Sequence, residues 1–210
     1  MHRCAYCGVK VRKPEREHVI PGCLYPTSKE SSRIQRVTVK ACSKCNHSWE
    51  DDEAHFRNVL ALAGPPNESR KQVWSVIKRS LQKEDGARRT EDLYGVLKWI
   101  EVAGRERCMV FPGEHERVMR VIKKIVRGLC SYHKIMSPVA DEQVKASILT
   151  FSLPDIIDEA MIKQHRDSDV VEYKYQVVEQ FGINSLWILK FYKVTEFVAA
   201  VTTNACGPLY

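Results

Sequence analysis

Two Cys-x-x-Cys pairs constrain the fold of this chain more than any other feature. Cys4 and Cys7 form the first pair, and Cys42 and Cys45 form the second. Two such pairs supply four thiolates for one tetrahedral Zn²⁺ site, each about 2.3 Å from the metal. Because four cysteines leave no coordination position open, the sequence predicts a structural zinc. The alternatives are buried core thiols or a redox dithiol, and a redox pair is more typical of a strand-to-helix turn in a longer α/β pattern.

The gap between the two pairs indicates an insertion. It holds 34 residues, whereas an ordinary zinc ribbon has roughly 15–20. Four basic residues of this segment could contact a phosphate backbone: Lys29, Arg33, Arg36 and Lys40. The whole chain has 33 Lys+Arg against 26 Asp+Glu and a formal charge of +7. This balance favours a polyanionic partner, most commonly nucleic acid.

The composition excludes several classes of protein. With 44% hydrophobic residues among 210, the chain is too apolar to be disordered and long enough to bury a core. No stretch approaches the roughly 18 apolar residues of a membrane span. The N-terminal residues lack the apolar segment of a signal peptide. We therefore expect a cytoplasmic protein whose isolated cysteines are reduced, buried thiols: Cys23, Cys108, Cys130 and Cys206.

The segments around the second pair predict two strands and a helix. Glu17-His18-Val19-Ile20-Pro21 is an acid–histidine pair that opens a short apolar strand. Residues 36–40 alternate β-branched and polar side chains, which is typical of a return strand. Asn46 directly follows Cys45, and the segment after it leads into a helix that contains His55.

These residues resemble the HNH endonucleases of the ββα-metal superfamily, many of which carry a Cys4 zinc knuckle. The resemblance rests on the two Cys pairs, on Glu17-His18-Val19-Ile20-Pro21, on Asn46 after the second pair, and on His55 nine residues later. It covers about residues 1–62. It implies that His18 is the general base on water, and that Glu17, Asn46 and His55 hold a catalytic Mg²⁺ or other divalent cation. Asn46 would otherwise orient the base. The zinc would hold the hairpin and take no part in the chemistry.

Such chemistry suits these residue types. Phosphodiester hydrolysis needs an activated water and stabilisation of charge at the phosphate. A neutral imidazole, with an ordinary pKa near 6.5, accepts a proton at physiological pH.

The same residues also fit simpler roles. In a helix that begins at Asn46, Glu50 and Glu53 share its face and either could replace His55 as a ligand. Glu17-His18 could be an ordinary surface pair. Asn46 could be a helix N-cap and His55 a solvated helix residue.

The remaining sequence predicts helices followed by strands. Helical spacing of apolar residues indicates helices near 70–83, 90–103 and 114–133, and a short one at 155–163. Strands are expected at 108–111, 146–151, 170–178, 186–192 and 196–202. The helix at 114–133 has a basic face, either solvated or in contact with nucleic acid, formed by Arg117, Arg120, Lys123, Lys124 and Arg127.

We therefore expect an α+β fold with three parts. A zinc-stapled ββα-metal module spans 1–62, a helical connector spans 63–113, and a mostly antiparallel α+β region of unknown role spans 114–210. The expected function is metal-dependent HNH endonuclease cleavage of DNA, with RNA not excluded and no membrane partner. Cleavage of both strands would call for a homodimer. The alternatives are a non-catalytic zinc module that recognises nucleic acid, or an assembly protein.

Overall fold

The computed structural model describes residues 1–27, 35–62, 67–83, 86–100, 108–110, 113–151, 153–167 and 169–203. The elements of the first half are β1 (His2–Arg3), β2 (Lys10–Val11), β3 (Glu15–His18), β4 (Thr38–Ala41), α1 (Ser43–His47), α2 (Glu50–Leu62), α3 (Glu68–Leu81) and α4 (Gly86–Tyr94). Those of the second half are β5 (Lys98–Ile100), β6 (Cys108–Val110), α5 (Glu116–Tyr132), β7 (Val144–Ile148), α6 (Asp155–Ala160), β8 (Ile162–Asp167), β9 (Val171–Gln180), β10 (Ile183–Phe191) and β11 (Thr195–Thr202). The expected α+β class is confirmed.

The N-terminal part consists of two small antiparallel hairpins followed by helices. Strand β1 pairs with β2, and β3 pairs with β4 so that Glu15 lies opposite Ala41 and His18 opposite Thr38. Helices α1 and α2 follow β4 directly. The return strand and the helix expected in this region are therefore present. The first strand contains Glu17 and His18 as expected, but it ends at His18, so the apolar residues Val19 and Ile20 lie beyond it.

The C-terminal part is a five-stranded antiparallel sheet in the order β7-β11-β10-β9-β8. The sequence predicts four of these strands at positions close to those observed. It does not predict β8, because the helix expected at 155–163 ends at Ala160 and the chain is extended from Ile162.

Helix α5 lies between the two parts and joins them in one core. Its apolar stripe, from Val118 to Cys130, is fully buried. One side contacts β7 and β11 of the sheet, and the other contacts α2 and β4. Phe56 of α2 also meets Phe191 of β10 edge to face, with ring centroids 5.2 Å apart. The main core thus contains residues of both the first and the third predicted part.

The basic face of α5 is only partly solvated, because Arg120 is exposed while each of its cations also contacts an acidic or carbonyl group of the protein. Arg117 and Arg120 pair with Asp52 of α2, and Lys123 pairs with Asp141. Lys124 and Arg127 are buried. Burial of these long side chains is possible because carboxylates and carbonyl oxygens receive them, which helical periodicity does not report.

The helix expected at 90–103 is wrong in its second half. Helix α4 ends at Tyr94, and Lys98–Ile100 form a strand that pairs with β6. Gly95 interrupts the helix, and the apolar residues beyond it belong to a hairpin. Residues 101–107 lie outside the described residues. Among the described helices, none has the length and apolar character needed to cross a membrane.

Candidate functional site

The four predicted cysteines meet at one point. Cys4 and Cys7 lie in the turn between β1 and β2, and Cys42 lies between β4 and α1 with Cys45 one turn later. Their four sulfur atoms all lie within 4.8 Å of one another. The backbone bond from Ala5 N to Lys40 O, 2.9 Å long, joins the two segments. Among the described residues, this is the one group of three or more Cys, His, Asp or Glu side chains placed to bind a metal ion.

The electrostatics of this cluster favour a cation. Burial acts to raise the pKa of Cys4, but backbone N–H groups of Cys7, Cys42 and Tyr6 lower it to about 7. Burial and the neighbouring thiols raise the pKa of Cys45. A second thiolate beside the first is therefore unfavourable without a counter-charge, which a divalent metal supplies. The arrangement is consistent with a structural zinc.

The β3–β4 hairpin separates the side chains of Glu17 and His18, because successive strand residues point to opposite faces. Glu15, Glu17, Val39 and Ala41 share the face toward the helices, where Glu17 and Ala41 are buried. The other face carries Arg16, His18, Thr38 and Lys40. Glu17 is thus not part of an ordinary surface pair.

His18 lies partly buried at the end of β3. Burial, followed by the charges of Arg36, Lys124 and Arg16, lowers its pKa. The imidazole is therefore neutral at pH 7. Its Nδ1 atom is buried and has no hydrogen-bond partner among the described residues.

Asn46 lies inside α1 and is not its N-cap, since Cys42 occupies that position. The Asn46 amide donates to a Glu15 carboxylate oxygen at 2.7 Å. This bond ties the helix after the second Cys pair to the first strand of the hairpin. The Asn46 Oδ1 atom is buried without a partner among the described residues.

Glu53, rather than His55, is the α2 residue that meets Glu17. The buried ammonium of Lys124 contacts carboxylate oxygens of both Glu17 and Glu53, and the Glu53 contact measures 2.6 Å. Burial raises the pKa of Glu17, and Lys124 opposes that shift. His55 is 6% exposed, so it is not a solvated helix residue. It packs beside His115, with ring centroids 5.1 Å apart.

The carboxylate of Glu17, which was expected to hold a catalytic divalent ion, is therefore already occupied by the Lys124 ammonium. The other two residues expected there have different neighbours, since the Asn46 amide donates to Glu15 and the His55 ring packs against His115. The four-cysteine cluster remains the single metal-binding group found among the described residues.

The four basic residues of the insertion lie in different environments. Lys29 and Arg33 lie outside the described residues. The Arg36 guanidinium lies over the Tyr25 ring, 4.4 Å from its centroid. Lys40 is exposed opposite Arg16 and hydrogen-bonds to His2.

Sequence reasoning missed Lys124, which it placed on a solvated or nucleic-acid-binding face. The sequence contains one indication that this side of α5 is buried, namely Gly128, which lies one turn after Lys124 on the same side of the helix. A Cβ atom there would lie 2.9 Å from the Tyr6 hydroxyl and from Val19 methyl groups. A glycine at such a position indicates close approach to another segment, and this approach brings Lys124 to the hairpin.

Comparisons with protein-family models, curated proteins and solved structures find no match to this chain.

Proposed function

We propose that this protein is a nuclease that hydrolyses phosphodiester bonds in DNA, with His18 as the general base. The observation that carries the proposal is the β3–β4 hairpin, which has the four-cysteine cluster at one end and His18 at the other and is tied to the following helix by the Asn46–Glu15 bond. Two strands, a following helix and a four-cysteine cluster support the proposal, because the resemblance to HNH endonucleases implies elements of these kinds. The metal bound by the four-cysteine cluster is proposed to be zinc.

The chemistry assigned to His18 is proton removal from water. The neutral imidazole takes the proton as the water oxygen forms its bond to phosphorus. The bond from phosphorus to the leaving oxygen then breaks, and that oxygen takes a proton from solvent. The lowered pKa of His18 supports this role, because the base form is present at neutral pH.

The outer face of the hairpin supports a polyanionic substrate. Arg16 and Lys40 lie directly opposite each other on the face that carries His18, and both are exposed. Like charges directly opposite in a sheet are destabilising, and neither has an acidic partner among the described residues. Lys40 contacts His2 of β1, so the surface continues onto the first hairpin. Four further exposed cations lie there or just after it: Arg3, Lys10, Arg12 and Lys13.

The requirement for Mg²⁺ or another divalent ion stays a prediction of the resemblance, and no step of the mechanism is assigned to such an ion. The structural metal at the cysteines would fix the hairpin, and with it the position of His18.

The test is nicking of supercoiled plasmid by zinc-loaded protein, in buffer alone, with Mg²⁺ or Mn²⁺, and with EDTA. His18→Ala should lower the rate by about 100-fold or more, the usual contribution of a general base. His47→Ala removes an exposed imidazole of the same region and should stay within threefold of wild type. Equal loss in both variants, or none in His18→Ala, would contradict the assignment.

A second candidate is a non-catalytic zinc module that recognises nucleic acid. It is favoured because Glu17, Asn46 and His55 each contact a different residue of the protein instead of converging on one point. It predicts DNA binding without nicking by folded, zinc-loaded protein under every metal condition.

A further inference from the structure

A buried lysine from the second half of the chain lies at the centre of the candidate site. The Lys124 side chain is fully buried in α5. Its ammonium contacts a carboxylate oxygen of Glu17, lies 2.6 Å from one of Glu53, and donates to the main-chain oxygen of His18 at 2.8 Å.

This arrangement satisfies the ammonium group completely. A lysine has three N–H donors and no acceptor, and three oxygen atoms receive them here. Burial of an ammonium is strongly unfavourable unless it is paired and hydrogen-bonded. Two carboxylates facing one ammonium leave a net negative charge, so each of the three groups depends on the others.

The contact with His18 is made through its backbone, so it acts on the position of the strand end. His18 is the last residue of β3, and its side chain lies on the opposite face from Glu17. A donor fixed to the His18 carbonyl oxygen limits rotation of the peptide that carries the imidazole. Lys124 reaches this oxygen from 106 positions later in the chain.

We propose that Lys124 is the fixed cation of the candidate site. It supplies one positive charge between Glu17 and Glu53 in the place where the resemblance expects a divalent ion, and it is a positioning residue for His18. The charge role of Lys124, which is the first half of this inference, does not depend on enzymatic activity. Its role in positioning His18, which is the second half, rests on the proposed nuclease function. The site is accordingly built from the N-terminal hairpin and α5 together, and residues 1–62 alone lack one of its charged groups.

The first half is tested by Mn²⁺ binding to zinc-loaded protein, measured by titration calorimetry, with wild type and Glu17→Gln. Because Lys124 already compensates the charge of Glu17, both proteins should bind Mn²⁺ with the same stoichiometry and affinity. If wild type binds one equivalent that Glu17→Gln loses, a divalent ion displaces Lys124 and the inference is overturned. This result does not depend on nicking.

The second half uses Lys124→Met, with Lys123→Met as the matched control. Lys123 is the preceding residue of α5 and is also paired to a carboxylate, that of Asp141. Lys124→Met leaves the buried Glu17 and the partly buried Glu53 without a cation and should lower the melting temperature by about 10 °C. Assayed below its melting temperature, it should nick about 100-fold more slowly through kcat, with KM within threefold. Lys123→Met should keep kcat within threefold.

The double variant Glu53→Gln/Lys124→Met separates positioning from stability, with Glu53→Gln as reference. It restores the net charge of the wild-type cluster, so it should regain part of the lost melting temperature. It should not regain kcat, because the His18 carbonyl and Glu17 still lack their donor. Recovery of kcat together with stability would reduce Lys124 to a structural role. If wild type does not nick at all, the proposed function fails, and the Mn²⁺ result decides the remaining half.

Discussion

The β3–β4 hairpin and the C-terminal sheet are both antiparallel, but different forces hold them. Strands β9, β10 and β11 are eight to ten residues long, and their buried face carries large apolar side chains such as Leu189, Phe191 and Phe197. The hairpin has four residues in each strand. The whole of β3 is polar, from Glu15 to His18.

The difference indicates how a polar site is kept in place. A short isolated hairpin is marginally stable at best, and charged side chains add little burial. Two external ties support this one. The four-cysteine cluster lies at its Glu15–Ala41 end, and Lys124 binds at its His18 end. The sheet is held differently, because its apolar face is buried against α5 and against Phe56 of α2.

Loss of a metal ligand should have the largest effect and should damage the hairpin first. In Cys42→Ser the protein should lose its zinc and the cooperative folding of the N-terminal part, because structural zinc contributes roughly 10–16 kcal/mol in small zinc modules. Zinc content and thermal unfolding followed by circular dichroism measure this. Cys23→Ser, outside the cluster, should keep one zinc. Retention of zinc by Cys42→Ser would show that the cluster is not the metal site.

A cavity in the sheet should lower stability without touching the metal. Leu189 is fully buried, and Leu189→Ala should cost about 2–5 kcal/mol. The free energy of unfolding is measured with urea, and zinc content in parallel. If zinc were lost in proportion to stability, the two regions would not be held by independent forces.

Charge reversal on the outer face of the hairpin should weaken DNA binding while leaving the fold intact. Arg16→Glu/Lys40→Glu keeps like charges opposite each other but removes two cations. Affinity for a fluorescently labelled DNA duplex in 100 mM salt should fall about tenfold or more. The slope of log K against log salt concentration should become shallower by about 2, because two phosphate contacts are lost.

The matched control for this charge reversal is Lys83→Glu/Arg88→Glu. It makes the same change of net charge at exposed positions of the helical region. Equal weakening in the two double variants would mean that net charge, rather than this surface, drives binding.

The smallest effect concerns pH. Since the folded-state pKa of His18 is below its ordinary value near 6.5, the unfolded chain binds the proton more readily. The contribution of His18 to stability is therefore fully present above pH 6.5 and is lost as the pH falls through the lowered pKa. The nicking rate should decline over the same range below pH 6.5. A rate that rises toward pH 5 would contradict the base role.

Much of the architecture could be predicted from local patterns. The spacing of the Cys pairs predicts the cluster, the β-branched alternation predicts β4, and the apolar stripe predicts α5. The β4 and α5 predictions succeed because each depends on residues close in the chain, and the cluster prediction succeeds because a tetrahedral metal site needs four ligands. Gly95 shows the limit, since the apolar spacing around it fits a helix while the residues beyond it form a strand.

What the sequence by itself determined is the set of residues that can form a four-cysteine metal site, a β-branched return strand and a buried helix stripe. Only the tertiary structure decided that Glu53 rather than His55 meets Glu17, and that Lys124 is buried between them. The reason is that a lysine on a helix has the same local pattern whether it faces water or a carboxylate. The partner of Lys124 is determined by the packing of α5 against a hairpin about a hundred residues earlier in the chain.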